Sequence, residues 1–174
     1  MLEVIPGILE KTWPEIEKKL EIVKSFTKTV HIDIIDGKFA DNTTFLDPEP
    51  FKKYSNDFFF ELHMMVEDPI DYLKPWGEAG FKRFLGHIEQ MSNQEEFMSQ
   101  AKQYGEAGLA VDGPTDINRV TVPLNTLETI LFMGIKAGFS GQSLNEEYLL
   151  KIKDAKEKGF NGACEVDGGI NDIT

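Results

Sequence analysis

Short, nearly continuous apolar runs alternate along the chain with longer segments whose apolar residues recur at helical intervals. Residues 2–9 form the first such run, interrupted by Pro6-Gly7 and short enough for a strand. The next segment reads as a helix, with Thr12 and Glu15 at capping-box spacing, Pro14 in the first turn, and Ile16, Leu20 and Val23 on one face. Further strands are predicted at about 29–35, 58–65, 83–89, 108–112, 129–135 and 163–166. Between them, Asp47-Pro48 opens a short helical piece, and Asp68-Pro69 opens a helix that should break near Pro75 and Gly77. Ser92 with Glu95 marks the start of another helix, residues 116–120 form a brief one, and residues 145–158 form a longer one stopped by Gly159.

Strands alternating with helices imply parallel pairing and right-handed crossovers, so the class is α/β. Runs that are apolar at nearly every position fit strands covered on both faces. A doubly wound sheet and a (β/α) barrel share this pattern. Polar residues at the ends of several successive strands, and the lack of a dinucleotide-type glycine motif after the first, favour the barrel. With 174 residues, one domain spanning 1–174 is expected.

The polar residues on those strands carry the chemistry. Val30, Ile32 and Ile34 share one face of the second strand, which leaves His31 and Asp33 together on the other. An imidazole and a carboxylate in such company are costly to bury unless paired, hydrogen-bonded or bound to a metal. The other two histidines, His63 and His87, also lie near strand ends, as do Glu89, Glu165 and Asp167. In a barrel these ends converge on one mouth, where two His and two Asp would make a four-ligand site for a divalent cation.

A formal net charge of −12 argues against a nucleic-acid partner, which requires a basic face. It leaves room for a small phosphorylated ligand held by backbone amides. No run approaches the roughly 20 apolar residues of a membrane span. The single cysteine, Cys164, permits no intrachain disulfide, which makes a cytoplasmic setting the expectation.

His-Ile-Asp-Ile-Ile-Asp-Gly-Lys-Phe (31–39), Glu-Leu-His-Met-Met-Val (61–66), Gly-Phe-Ser-Gly-Gln (138–142) and Glu-Val-Asp-Gly-Gly-Ile-Asn (165–171) resemble, in order and spacing, the signatures of the ribulose-phosphate 3-epimerase family. The resemblance implies a TIM barrel that interconverts D-ribulose 5-phosphate and D-xylulose 5-phosphate with one divalent metal ion (Zn, Fe, Mn or Co). It assigns His31, Asp33, His63 and Asp167 as metal ligands, and Asp33 and Asp167 as the two acid/base carboxylates. His63, Gly138, Phe139, Ser140, Gly141, Gly168 and Gly169 match positions that hold the phosphorylated substrate. The implied partner is that small sugar, in a homo-oligomer, with neither nucleic acid nor membrane.

The chain departs from the family pattern in four places. Gly7 stands where the family carries a substrate-contacting serine, Ser140 replaces a glycine of the phosphate loop, and Ile35 replaces a methionine. The sequence stops at Thr174, before the family's last helix and eighth strand, so seven βα units and open edges on the first and seventh strands are expected. Two alternatives therefore stand beside the epimerase: a non-catalytic barrel remnant kept for binding or assembly, and an epimerase for another phosphorylated ketose. Blander expectations cover other residues: His87 as a hydrogen-bonded core histidine, and Glu89 and Glu165 as orienting or salt-bridge partners. Asp36 caps a turn with Gly37, Met64, Met65 and Met133 are core, Cys164 is a small buried hydrophobe, and the acidic helix faces (Glu15, Glu17, Glu21; Glu146, Glu147) are solvated.

Overall fold

Seven strands pair in one wholly parallel sheet in their order along the chain. They are β1 (Gly7–Ile8), β2 (Thr29–Ile35), β3 (Phe59–Met65), β4 (Arg83–His87), β5 (Glu106–Val111), β6 (Thr129–Met133) and β7 (Ala163–Asp167), in a computed structural model that describes residues 2–174. Each strand lies beside its predecessor without the reversal that a doubly wound sheet requires, which is barrel winding. The sheet also curls. Across a flat sheet β2 and β7 would stand five spacings, roughly 24 Å, apart, yet Glu165 of β7 comes within 3.3 Å of His31 of β2. The architecture is that of an α/β TIM-like barrel lacking its eighth strand, and β1 and β7 each have one neighbouring strand among the described residues.

Alternation along the strands separates two cores. Val30, Ile32, Ile34, Phe60, Leu62, Phe84, Leu109 and Phe132 belong to the larger one, which includes residues of the helices α1 (Trp13–Val23), α2 (Ile70–Glu78), α3 (Gln94–Ala101) and α4 (Glu146–Glu157). Its centre is aromatic: Phe51 is fully buried and sets its ring against Trp13, Phe60, Trp76 and Phe81 at 5.1–5.6 Å. Ile35, Met65, Leu85, Ala110, Leu131 and Met133 form the smaller core inside the curl. Met64, Met65 and Met133 are buried as expected.

Several expectations need correction. The first strand shrinks to two residues. The helix after Asp68-Pro69 runs through Pro75 and Gly77 to Glu78, because Leu73 and Trp76 are buried on its face and Gly77 admits Tyr104 against the backbone. Asn93, rather than Ser92, caps α3, its side chain accepting from the Glu96 amide at 3.1 Å. Thr12 precedes α1, but its hydroxyl donates to the Glu15 carboxylate instead of capping a backbone amide. Cys164 is exposed, since it lies on the sheet's last strand. No helix among the described residues is long and apolar enough to cross a membrane.

Candidate functional site

The β2–β3 register is what assembles the site. His31 pairs with Glu61 and Asp33 with His63, so period-two alternation puts all four on the inner face. His63 and Glu61 are fully buried, and His31 and Asp33 nearly so. Across the curl, β7 adds Glu165 and Asp167 to the same face.

Two tiers result. In the deeper one, His31 donates from Nδ1 to Glu61 Oε1 at 2.5 Å, and Glu165 Oε1 lies 3.3 Å from the same nitrogen. Arg83 closes this tier by donating from Nη1 to Glu61 at 2.5 Å and from Nε to Glu106 at 2.8 Å. In the upper tier, Asp33 Oδ1 stands 2.7 Å from His63 Nδ1 and 3.4 Å from His31 Nε2, and Asp167 Oδ2 stands 3.7 Å from His63 Nδ1. The His63 ring stacks on His87, with the two Nε2 atoms 2.9 Å apart, and His87 Nδ1 faces Glu89 at 2.8 Å.

Electrostatics follows from this packing. Burial works against charge on every one of these groups, and the neighbours decide the outcome. For Asp33 the surrounding His31 and His63 more than reverse burial and lower the carboxyl below its usual range. Glu61 is held at about 2, chiefly by His31 against burial. Glu165 goes the other way, to about 7, because burial and the charge of Glu61 outweigh His31. His31 is raised well above the ordinary imidazole value by Asp33, Glu165 and Glu61 despite burial, whereas His63 is lowered by burial. The deep part of the site is therefore a negative environment that favours a positive charge at its centre.

One ligand atom from each of His31, Asp33, His63 and Asp167 lies within 4.8 Å of the other three, a set that could hold a metal ion. His31 Nε2 is buried without a hydrogen-bond partner among the described residues, while Nδ1 is engaged by Glu61. A nitrogen so placed suits a cation, and two imidazoles with two carboxylates suit a divalent one.

The structure thus brings together the four residues singled out as ligands. Of the other candidates, Gly138 is buried on the loop after β6, and Phe139, Ser140 and Gly141 are exposed on it. The Asn42 side chain donates to the Gly138 carbonyl at 2.8 Å, which ties the loop after β2 to this one. Gly168 and Gly169 follow β7 directly with φ of 91° and 77°, packed against Ile135 and Leu144 at the base of the same loop. His87 is fully buried and hydrogen-bonded, and Asp36 accepts from the Lys38, Phe39 and Glu67 amides.

Sequence reasoning missed Glu61, Arg83, Asp112 and Lys151. Glu61 precedes His63 by two and so shares its face, a signal that was available. Asp112 accepts from the Gly113 and Ala137 amides, at 2.8 and 2.6 Å. Lys151 donates to the carbonyls of Asp112, Gly113 and Thr115, each at 2.6 Å.

Comparison with known proteins shows the family of this chain. Residues 3–174 match the model of the ribulose-phosphate 3 epimerase family. The chain is similar to the ribulose-phosphate 3-epimerase of Chlamydia muridarum, 31% identical over 87% of this chain and 70% of that protein. It is also similar to the enzyme of that name from Bacillus subtilis, 29% identical over 100% of this chain and 84% of that one. The counterpart from Schizosaccharomyces pombe is 28% identical over 97% of this chain and 77% of its own length. The chain therefore belongs to the ribulose-phosphate 3-epimerase family, a family of isomerase-class enzymes.

Proposed function

We propose that this chain is a single barrel-type domain that epimerises C3 of a pentulose phosphate, D-ribulose 5-phosphate to D-xylulose 5-phosphate. Asp33 and Asp167 act as the opposed proton-transfer groups, and His31, Asp33, His63 and Asp167 hold a divalent cation. The observation that carries the reading is the pair of carboxylates delivered by β2 and β7 to one His63 ring, at 2.7 and 3.7 Å from its Nδ1.

Inverting a carbon beside a carbonyl requires a proton to leave one face and another to arrive on the opposite face. Two carboxyl groups from different sides of a barrel suit that task. Asp33, set between His31 and His63 on the inner face of the sheet, is placed to accept the proton. Asp167, at the rim with its side chain 34% exposed, is placed to return one from the other side. When bound, a divalent cation supplies Lewis-acid stabilisation of the negative charge that develops on the substrate oxygens. His31 offers Nε2 to it while Glu61 holds Nδ1–H, and His63 offers Nδ1. The loop of Gly138, Phe139, Ser140 and Gly141, with Gly168 and Gly169 beside it, turns backbone amides toward the sugar's phosphate. The left-handed backbone at Gly138, φ 119°, suits such an approach.

The test follows deuterium at C3. Metal-loaded protein incubated with D-ribulose 5-phosphate in deuterated water should form D-xylulose 5-phosphate with label at C3. Asp33→Asn and Asp167→Asn should each lose that label. A folded, cation-loaded protein that exchanges nothing is instead a binding remnant of the family.

A further inference from the structure

We propose that Asp112 is a positioning residue for the substrate's phosphate, anchoring the root of the loop that carries Gly138, Phe139, Ser140 and Gly141. The proposal rests on the phosphate-holding role given to that loop above. It concerns a buried carboxylate to which that reading assigns nothing.

Asp112 directly follows β5 and is itself held from two sides. Its amide donates to Glu89 Oε1 at 2.9 Å, and its carbonyl accepts from Lys151 Nζ at 2.6 Å and from the Thr115 amide at 3.0 Å. The segment after β4 and the helix α4 thus fix its backbone. From that base the side chain reaches the loop after β6, where Oδ1 accepts from the Ala137 amide at 2.6 Å while also taking the Gly113 amide at 2.8 Å. The bond to Ala137 is buried, so breaking it would strand a donor and an acceptor away from water.

The loop is set from its carbonyl side as well. The Gln142 carboxamide donates to the carbonyls of Lys136 and Phe139 at 2.9 and 2.8 Å, and that of Asn42 to the Gly138 carbonyl at 2.8 Å. The described peptides are all trans, so each N–H points opposite to the carbonyl it is bonded to. The peptide unit of Lys136 and Ala137 is therefore gripped at both ends, by Gln142 and by Asp112. Carbonyls drawn to Asn42 and Gln142 turn the Phe139 and Ser140 amides the other way, where they meet no acceptor among the described residues. The bonds of Gln142 are exposed and that of Asn42 is half-buried, which leaves the Asp112 bond as the one shielded from water. The orientation of the loop is inherited from β5 through it.

A loop released at this root must be ordered each time an anion binds, which weakens binding. The phosphate takes no part in the bond changes at C3, so its grip is the same in ground and transition state. Loss of Asp112 therefore belongs in KM and not in kcat.

The experiment compares 15N-labelled wild type, Asp112→Asn and Asp112→Ala. Asparagine keeps an oxygen for both amides, and alanine keeps none. Inorganic phosphate is titrated into each protein and followed at the Phe139, Ser140 and Gly141 amides by 1H–15N correlation. Steady-state kinetics of the metal-loaded proteins with D-ribulose 5-phosphate run alongside. Asp112→Ala should weaken phosphate binding and raise KM by about tenfold each, with kcat within about twofold of wild type and Asp112→Asn within about threefold in both. A change that only destabilised the fold would lower the active fraction, and so kcat, while leaving KM in place. Wild-type phosphate affinity in Asp112→Ala, or a loss in kcat alone, overturns the assignment and leaves the epimerase reading standing. A wild type whose loop amides respond to phosphate but which does not epimerise overturns that reading alone, and the titration still decides Asp112. Loop amides of wild type that ignore phosphate overturn the loop's role and this proposal with it. If Asp112→Ala does not fold, hydrogen exchange in phosphate-free wild type decides: the Ala137 amide should exchange far more slowly than those of Phe139 and Ser140, and equal rates overturn the assignment.

Discussion

Asp33 and His63 are register partners on adjacent parallel strands, and their side chains meet at 2.7 Å on the inner face of the sheet. Neither residue is close to the other in sequence. Their contact depends on β2 and β3 pairing without a slip, and it places the base of the proposed reaction against a proposed metal ligand.

His63→Ala should therefore affect two things at once. It removes one of four proposed ligands and takes from Asp33 a hydrogen bond that lowers its carboxyl. Zinc affinity should fall by more than about 100-fold, beyond what an orienting residue is worth. Calorimetric titration of the metal-stripped protein checks this.

Gly7 pairs with His31, and a Cβ added there would stand 4.0 Å from Asp33 Oδ2, an ordinary contact. Gly7→Ser should fold normally and bring a hydroxyl within reach of Asp33 and of the substrate proposed to bind beside it. One added hydrogen bond of about 1 kcal/mol corresponds to about a fivefold lower KM for D-ribulose 5-phosphate. Steady-state kinetics of the variant, with its melting curve, reads both effects.

Glu165 gives the metal-free protein a pH dependence of definite sign. Burial and the charge of Glu61 raise its carboxyl from 4.5 to about 7 against the pull of His31. A carboxyl raised in the folded state contributes stability that is whole below the unfolded value and lost as pH climbs through the folded one. Glu165→Gln should melt close to wild type at pH 4.5 and progressively above it as pH approaches about 7. Differential scanning of the two proteins in chelator gives that difference directly.

Lys151 holds three carbonyls of the segment after β5 from its place on α4. Lys151→Met leaves those carbonyls without their donor beneath the helix. Urea unfolding should show a loss of about 3 kcal/mol.

Much of this architecture is legible in the chain. The second strand runs from Thr29 to Ile35 as its apolar run suggests, and its alternation sends His31 and Asp33 inward. Other features were hidden for identifiable reasons. Pro75 reads as a helix breaker, but burial of Leu73 and Trp76 holds the turn around it. Ser92 and Asn93 are adjacent cap formers, and it is Asn93 that has an extended backbone and a side chain accepting from the Glu96 amide. Cys164 has the composition of a core residue but lies on the last strand of the sheet. Lys151 carries no periodic signal, because its partners are carbonyls of a loop nearly forty positions earlier. Glu61 is the exception: its spacing from His63 announces their shared face.

The two faces of β2 serve different ends. Val30, Ile32 and Ile34 pack beneath the helices, and His31 and Asp33 face the interior of the curl. A slip of one residue would exchange the two sets, pushing an imidazole and a carboxylate into the aromatic layer and filling the site with branched hydrocarbon. Such a chain could not be both stable and wrongly aligned. The demand for a dry core thus proofreads the chemistry, and folding rejects the misaligned strand before any substrate meets it.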